Sequence, residues 1–389
     1  MSFFFFMASV FFTGSTLAWL FLTTGFIKYR RREWLVLWLL VTVIAILFYR
    51  WGRSGEMLFP FLRSLIVSLS MFWIVLQGAL LAAFPAWLGI AFFRLLGKWR
   101  GFEWEKNFQK IGMGVLILAI GIAGKAAWFP MTWELTPIEI HSENVPAGLD
   151  GMKIAQLTDV HVSLPEHVER LKEQLGGAVE AKADILIFTG DFVDDLDHLP
   201  AAIQAFKDVE AEFPLGVWFI LGNHEYGRGL NSFTAAYEEA DFPLLINEGV
   251  TLEYKGTPFY LAGVDYPYPE SRRSGMGGGS ASLSVAERDL VTALEDRPMG
   301  QTTILAAHHP IIFDKAFEEE ILLSFAGHTH GYQAGIAGKS LLSPFVKYAW
   351  GLYGDENAYG YVSGGAGEWF PVRVGVPREV VIFTLRQKK

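Results

Sequence analysis

The chain has 389 residues, 51% of them hydrophobic, and a mean hydropathy of +0.28, which is too apolar for an ordinary soluble protein and implies a part in contact with lipid. It contains no cysteine, so disulfides and thiolate metal sites are excluded and any metal must be held by oxygen and imidazole. The net charge of −9 joins two unlike parts: residues 1–130 hold 13 Lys and Arg against 4 Asp and Glu, while residues 131–389 hold 19 against 37. The second part repels a nucleic-acid backbone, and nucleic acid is excluded as a partner.

Residues 1–130 read as a membrane domain of about four helices. The apolar runs are Phe3 to Ile27, the shorter Trp34 to Tyr49, Ser64 to Phe93 with Pro85 inside it, and Ile111 to Phe129 with Lys125 near its end; each of the longer ones can span a bilayer. The first run lacks the basic flank of a cleaved signal peptide. Lys28, Arg30, Arg31 and Arg32 follow the first run, and Arg94, Lys98, Arg100, Lys106 and Lys110 follow the third. Because basic loops stay in the cytoplasm, this bias expects a multi-pass protein of the cytoplasmic membrane with everything after Pro130 on the extracytoplasmic side.

Residues 131–149 read as a linker, and residues 150–389 as an α/β domain. Lys153 to Leu157, Asp184 to Thr189, Val217 to Leu221 and Thr303 to Ala307 are short apolar runs expected to be buried strands. Glu166 to Lys182 and Leu196 to Ala211 have helical periodicity between them. Alternating strand and helix gathers ligands at the carboxyl ends of the strands. Glu270 to Ser284, rich in Gly and Ser and carrying Arg272 and Arg273, reads as a flexible loop.

Polar residues able to bind metal stand just after these strands. They are Asp159 and His161, Gly190-Asp191, Gly222-Asn223-His224-Glu225, His308-His309-Pro310, and Gly327-His328-Thr329-His330-Gly331. The i, i+2 spacing of Asp159 and His161 puts both on one side of an extended backbone, and Gly190 allows close backbone approach. Five of the nine histidines, 161, 224, 308, 328 and 330, are spent on this constellation, with His309 as the neighbour of His308; His141, His167 and His198 read as surface residues. Two dications roughly 3.5 to 4 Å apart held by such groups clamp a phosphate and lower the pKa of a shared water, which makes hydroxide the nucleophile.

The ordered pattern D-x-H, G-D, G-N-H, H-x-P and G-H-x-H resembles the calcineurin-like metallophosphoesterase superfamily over residues 150 to 386. Gly351-Leu352-Tyr353, Tyr361 to Gly367 and Pro377-Arg378-Glu379 resemble its membrane-tethered bacterial branch. The resemblance implies two packed β-sheets flanked by helices, and a dinuclear site in which Asp159, His161 and His330 bind one divalent ion and Asn223, His308 and His328 the other. Asp191 then bridges, His224 faces the phosphate as proton donor, and His309 stands behind the ligands. The mixed shell favours Mn²⁺, with Fe or Zn²⁺ as alternatives. Glu225 stands where the family has Asp, and Tyr332 where it commonly has a second Gly; neither is expected to touch a ligand, and both bear on the pocket wall.

The expected function is hydrolysis of a phosphodiester or pyrophosphate, on a lipid-linked or envelope substrate. Some relatives cleave UDP-2,3-diacylglucosamine in lipid A synthesis, an alternative that the expected sidedness disfavours. A membrane sensor that binds a phosphorylated ligand without turnover is the other class, and it would often lack a ligand or the acid histidine.

Overall fold

The computed structural model describes residues 132–268, 281–368 and 373–388, with scattered helical positions between 36 and 124. The chain divides into two compact units, residues 1–130 and 131–389. In the first, positions 36, 38–45 and 47 are helical, as are 69, 72, 73 and 76. Thr42 Oγ1 donates to the Trp38 carbonyl at 2.9 Å and accepts from Trp73 Nε1 at 3.0 Å. Among the described residues no helix is long and apolar enough to cross a membrane. The four spans expected from the sequence fall mostly outside the described residues, the first of them entirely.

Among the described residues, thirteen strands and six helices build the second unit. In chain order they are β1 (Trp133–Ser142), β2 (Lys153–Leu157), α1 (Pro165–Glu180), β3 (Ile185–Phe188), α2 (Leu199–Lys207), β4 (Val217–Phe219), α3 (Asn223–Arg228) and α4 (Leu230–Glu239). Then follow β5 (Glu248–Tyr254), β6 (Thr257–Gly263), α5 (Leu283–Ala293), β7 (Thr303–Ala306), α6 (Phe313–Glu318), β8 (Leu323–Ala326), β9 (Gly335–Ile336), β10 (Lys339–Ser340), β11 (Gly351–Gly354), β12 (Tyr359–Val362) and β13 (Arg378–Gln387).

The four strands read from the sequence are all present, with ends trimmed by at most two residues. The helical stretch read over Leu196 to Ala211 is one short helix between two 3₁₀ turns, because Pro200 is tolerated only in the first turn of a helix. Most of the Gly and Ser loop read at Glu270 to Ser284 lies outside the described residues, and Leu283 already begins α5.

One sheet has the order β1-β13-β2-β3-β4 and the other β11-β12-β8-β7-β6-β5; β9 and β10 form a separate hairpin. Strands β2, β3 and β4 are mutually parallel, as are β6, β7, β8 and β12. Each inner strand faces two cores. In β3, Ile185 and Ile187 enter the core between the sheets, while Leu186 and Phe188 enter the core under α1, α2 and α4. In β7, Ile304 and Ala306 face the inter-sheet core and Leu305 faces α5 and α6. Burial on both faces removes the polar side of the alternation, which is why these strands appear in the sequence as unbroken apolar runs. The unit is therefore layered helix, sheet, sheet, helix, an α/β fold with packed sheets.

The linker read at 131–149 is corrected by this topology. Residues 133–142 form β1, paired in parallel with β13 over ten residues. Pro137 is compatible with this strand because β1 lies at the sheet edge. Its exposed face and the proline gave it no buried-strand signature.

Phe383 of β13 lies at the centre of the inter-sheet core, its ring 4.8 Å from Phe325 and 5.4 Å from Tyr361. Phe383→Ala removes these contacts and leaves a cavity between the sheets. It is expected to cost about 3–5 kcal/mol, measured as a lowered midpoint of urea-induced unfolding; a shift under about 1 kcal/mol would mean the sheets do not pack through this ring.

Candidate metal centre

Every candidate ligand lies in a turn at the carboxyl end of a strand: 159 and 161 after β2, 191 after β3, 223 after β4, 308 after β7, 328 and 330 after β8. The backbone that aims them is not extended. Asp159 (φ 54°), His161 (49°), Asp191 (58°), His328 (67°) and His330 (51°) are all left-handed. This corrects the alternation argument from spacing. Left-handed residues cost on the order of 1–2 kcal/mol each, and Asp, Asn and His tolerate the region best. Such strain clusters at functional sites because the surroundings hold it in place.

Gly190 and Gly222 let the turns after β3 and β4 touch. A Cβ on Gly190, itself at φ 88°, would lie 2.5 Å from the Gly222 nitrogen, and one on Gly222 would lie 2.3 Å from Asp191 Oδ1. The close approach is thus between the two turns.

Two groups of donor atoms result. In the first, His161 Nε2 and His330 Nε2 are 3.0 Å apart, and His330 Nε2 is 3.2 Å from Asp159 Oδ1. In the second, His328 Nδ1 is 2.8 Å from Asn223 Oδ1 and 3.3 Å from His308 Nε2. Asp191 Oδ2 stands 3.3 Å from His308 Nε2 and 3.7 Å from His161 Nε2, so one oxygen addresses both groups. Donors bound at about 2.0–2.2 Å to one cation are necessarily about 3 Å from each other, the spacing seen here. The donor set is nitrogen and oxygen only, which suits divalent ions of borderline character. The residues fit the group that the pattern implies.

The outward nitrogens orient the rings. His308 Nδ1 contacts the Thr189 carbonyl at 2.7 Å and His161 Nδ1 contacts Asp194 Oδ1 at 3.4 Å. A proton on each of these nitrogens leaves the inward Nε2 lone pair free for a metal. His330 is fully buried with the Arg373 guanidinium 3.0 Å behind its Nδ1. Burial, with the charges of His161 and Arg373, holds His330 down at about 4 against the pull of Asp159, so the ring is neutral. Burial also holds His328 well below its ordinary value.

His224 differs from the ligands. Its side chain is 23% exposed, its Nδ1 lies 2.5 Å from Asp194 Oδ1, and its Nε2 is 3.8 Å from Asp191 Oδ2. Burial opposes its charge, but Asp191 and Asp194 raise it to about 9, which keeps the imidazolium. His309 stays outside both groups. Its Nδ1 accepts from the Ile311 amide at 3.1 Å, its ring packs 4.5 Å from His328, and burial with the charge of His308 lowers it to about 3. Of the three histidines read as surface residues, His141 is exposed and His198 half-buried, but His167 is buried with Nδ1 at 3.4 Å from the His161 carbonyl.

Asp194 and Arg373 escaped the sequence reading, and Glu225 was read with the wrong role. Asp194 faces both His161 and His224, as described, and joins them as a third group able to hold a cation; its position three residues after Asp191 was the available signal. Arg373 donates to the carbonyls of Pro377 and Gly367 and reaches His330. Glu225, expected to touch no ligand, is buried completely and accepts from the amides of Asp191 (3.1 Å), Phe192 (2.7 Å) and Gly222 (2.7 Å). It therefore holds two ligand turns together from behind and is not a wall of the pocket.

Residues 152–332 match the calcineurin-like phosphoesterase family. The chain is 28% identical over 288 residues to the metallophosphoesterase YkuE of Bacillus subtilis, covering 72% of this chain and 94% of that one. It is 30% identical over 255 residues to a metallophosphoesterase of Aquifex aeolicus, covering 64% and 90%. A transmembrane protein with metallophosphoesterase domain from Bos taurus is 26% identical over 267 residues, 65% of this chain and 57% of that one. With its two donor groups at the strand ends and the two bacterial relatives matched over nearly their whole length, this chain belongs to the calcineurin-like phosphoesterase family and is a metallophosphoesterase, a hydrolase of phosphoric esters.

Proposed function

We propose that the protein is a membrane-anchored phosphodiesterase or pyrophosphatase acting on a lipid-linked substrate. In this reading Asp159, His161, Asp191, Asn223, His308, His328 and His330 hold two divalent cations, Mn²⁺ before Fe or Zn²⁺. The observation that carries it is the shared oxygen of Asp191, within 3.7 Å of a donor nitrogen in each group. Bound there, two cations polarise a phosphoryl oxygen and lower the pKa of a water.

The chain's own residues do the rest. Asp191 is fixed from three directions: its amide donates to Glu225, its Oδ1 accepts from the His224 amide at 2.8 Å, and its Oδ2 faces the histidines. His224 carries its proton on the partly exposed side of the site. Asp194 binds Nδ1, so the Nε2 proton is the one available to the leaving oxygen of an ester. The same carboxylate touches the far nitrogen of His161, which couples the acid to a ligand.

Membrane attachment through residues 1–130 is supported by the apolar runs, and the bias of the basic loops supports a catalytic unit outside the cytoplasm. Helical positions there expose large apolar side chains, among them Val36, Leu40, Leu47 and Leu118, and a relative carries the word transmembrane in its name. In this reading the catalytic domain includes β1 and begins soon after Pro130.

Purified protein is expected to hydrolyse bis-p-nitrophenyl phosphate only after Mn²⁺ is added, and Asp191→Asn to abolish turnover. Equal rates in the two proteins would exclude the mechanism. His224→Ala is expected to lower kcat by about 10²- to 10⁴-fold with metal content retained; an unchanged kcat would remove His224 as the acid.

Glu225→Gln replaces an acceptor of three amides by a group that is half donor. Metal affinity is expected to fall by about 10- to 100-fold, read by titration with Mn²⁺. Asp194→Asn is expected to lower kcat by a similar factor at saturating Mn²⁺. If both variants lose metal and kcat in the same proportion, the separate roles given to Glu225 and Asp194 are wrong.

A further inference from the structure

Between His330 and β11 the chain presents apolar side chains to solvent. Ile336 is 71% exposed, Leu341 56% and Phe345 84%. Val374 joins them, since its carbonyl accepts from the Gly335 amide at 2.7 Å. Scattered exposed apolar residues are ordinary, but several within the one short segment from Ile336 to Phe345 mark a surface that something covers.

Three further observations say what covers it. The loop is fastened to the metal centre: Ser340 Oγ donates to the Gly331 carbonyl at 2.8 Å, next to His330, and the Leu341 amide donates to the Ala334 carbonyl at 2.8 Å. Its charge is opposite to that of its surroundings. Residues 131–389 hold 37 Asp and Glu, yet none stands between Ile321 and Gly354, where the charged residues are Lys339 and Lys347. Lys347 keeps 67% of its side chain exposed while pairing with Asp314.

The third observation is position. A cavity of about 490 Å³ is lined by Glu134 and Thr136 of β1 together with Gly338 of the hairpin and Trp350. The start of β1, where the chain leaves residues 1–130, therefore borders the apolar loop.

We infer that the segment from Ile336 to Phe345 inserts into the boundary between headgroups and acyl chains of an anionic phospholipid bilayer. Apolar side chains flanked by lysines, with no acid among them, are what such a boundary takes up. The metal centre beside His330 then opens at the lipid surface, and its substrate class is a phosphate ester or pyrophosphate carried on a lipid. This inference rests on the reading of the protein as a membrane-anchored hydrolase and deepens it.

The absence of native cysteine permits single-site labelling. Phe345→Cys, and Glu238→Cys on the exposed face of α4 as a control, are labelled with a nitrobenzoxadiazole dye in the full-length protein. Each is reconstituted into vesicles of phosphatidylglycerol and phosphatidylcholine with and without doxyl-labelled lipid. Position 345 is expected to show blue-shifted emission quenched several-fold more strongly by doxyl lipid than position 238. Water-like emission at both positions overturns the inference. Blue-shifted emission at 345 without lipid quenching also overturns it, because protein and not lipid then covers the loop. Turnover of bis-p-nitrophenyl phosphate by the same samples reports separately on the hydrolase reading, since that substrate is soluble and needs no docking.

Discussion

The structure of this site turns on burying several carboxylates within one small volume. Asp159 and Asp191 are almost wholly removed from water and Asp194 nearly so. Burial alone would raise all three, yet the surrounding imidazoles hold each below its ordinary range. Isolated buried carboxylates cost far more than a domain's net stability, so they persist only where positive charge is supplied. The His224 imidazolium supplies part of it, and cations in the two donor groups would supply the rest. The need for counter-charge explains why the donors are so close together.

Geometry of this kind needs rigid ends on rigid strands. The parallel strands β2, β3 and β4 in one sheet and β7 and β8 in the other are clamped on both faces by aliphatic and aromatic side chains. Close-packed interiors transmit small displacements, so the turns that follow these strands are held to the same tolerance as the core. The left-handed residues store their strain there. Glu225 gathers the amides of Asp191, Phe192 and Gly222, which ties the β3 and β4 turns together without using any ligand atom. Burial and the Asp191 charge push the Glu225 carboxyl up, and the amides that it accepts work in the opposite direction.

What the sequence disclosed and what it hid divide along the same physical line. Lys153 to Leu157 and Thr303 to Ala307 were legible because burial on both faces leaves an apolar run that no other environment requires. Strand β1 was hidden, since WELTPIEIHS alternates, contains Pro137 and lies at an edge. All seven candidate ligand positions were legible as residue types following strands. Their aim was not, because the positive φ of Asp159 and His161 comes from the turn and leaves no mark on spacing. Glu225 and Arg373 work through backbone amides and carbonyls brought from elsewhere in the chain, so nothing local distinguishes them from solvated charges.

The division of charge bears on how an acidic domain approaches an acidic surface. Residues 131–389 carry a net −18, and an anionic leaflet repels such a domain over about one Debye length, roughly 8–10 Å. Under the proposed attachment through residues 1–130 the domain would stay at the surface, so repulsion would orient it and would not release it. In that reading the stretch from Ile321 to Gly354, which holds no Asp or Glu, is the part of the domain that repulsion opposes least. That stretch contains His328 and His330 as well as Ile336 and Phe345. In the proposed arrangement electrostatic orientation and apolar insertion would act on the same face, and both would carry the metal centre toward phosphates at the lipid surface.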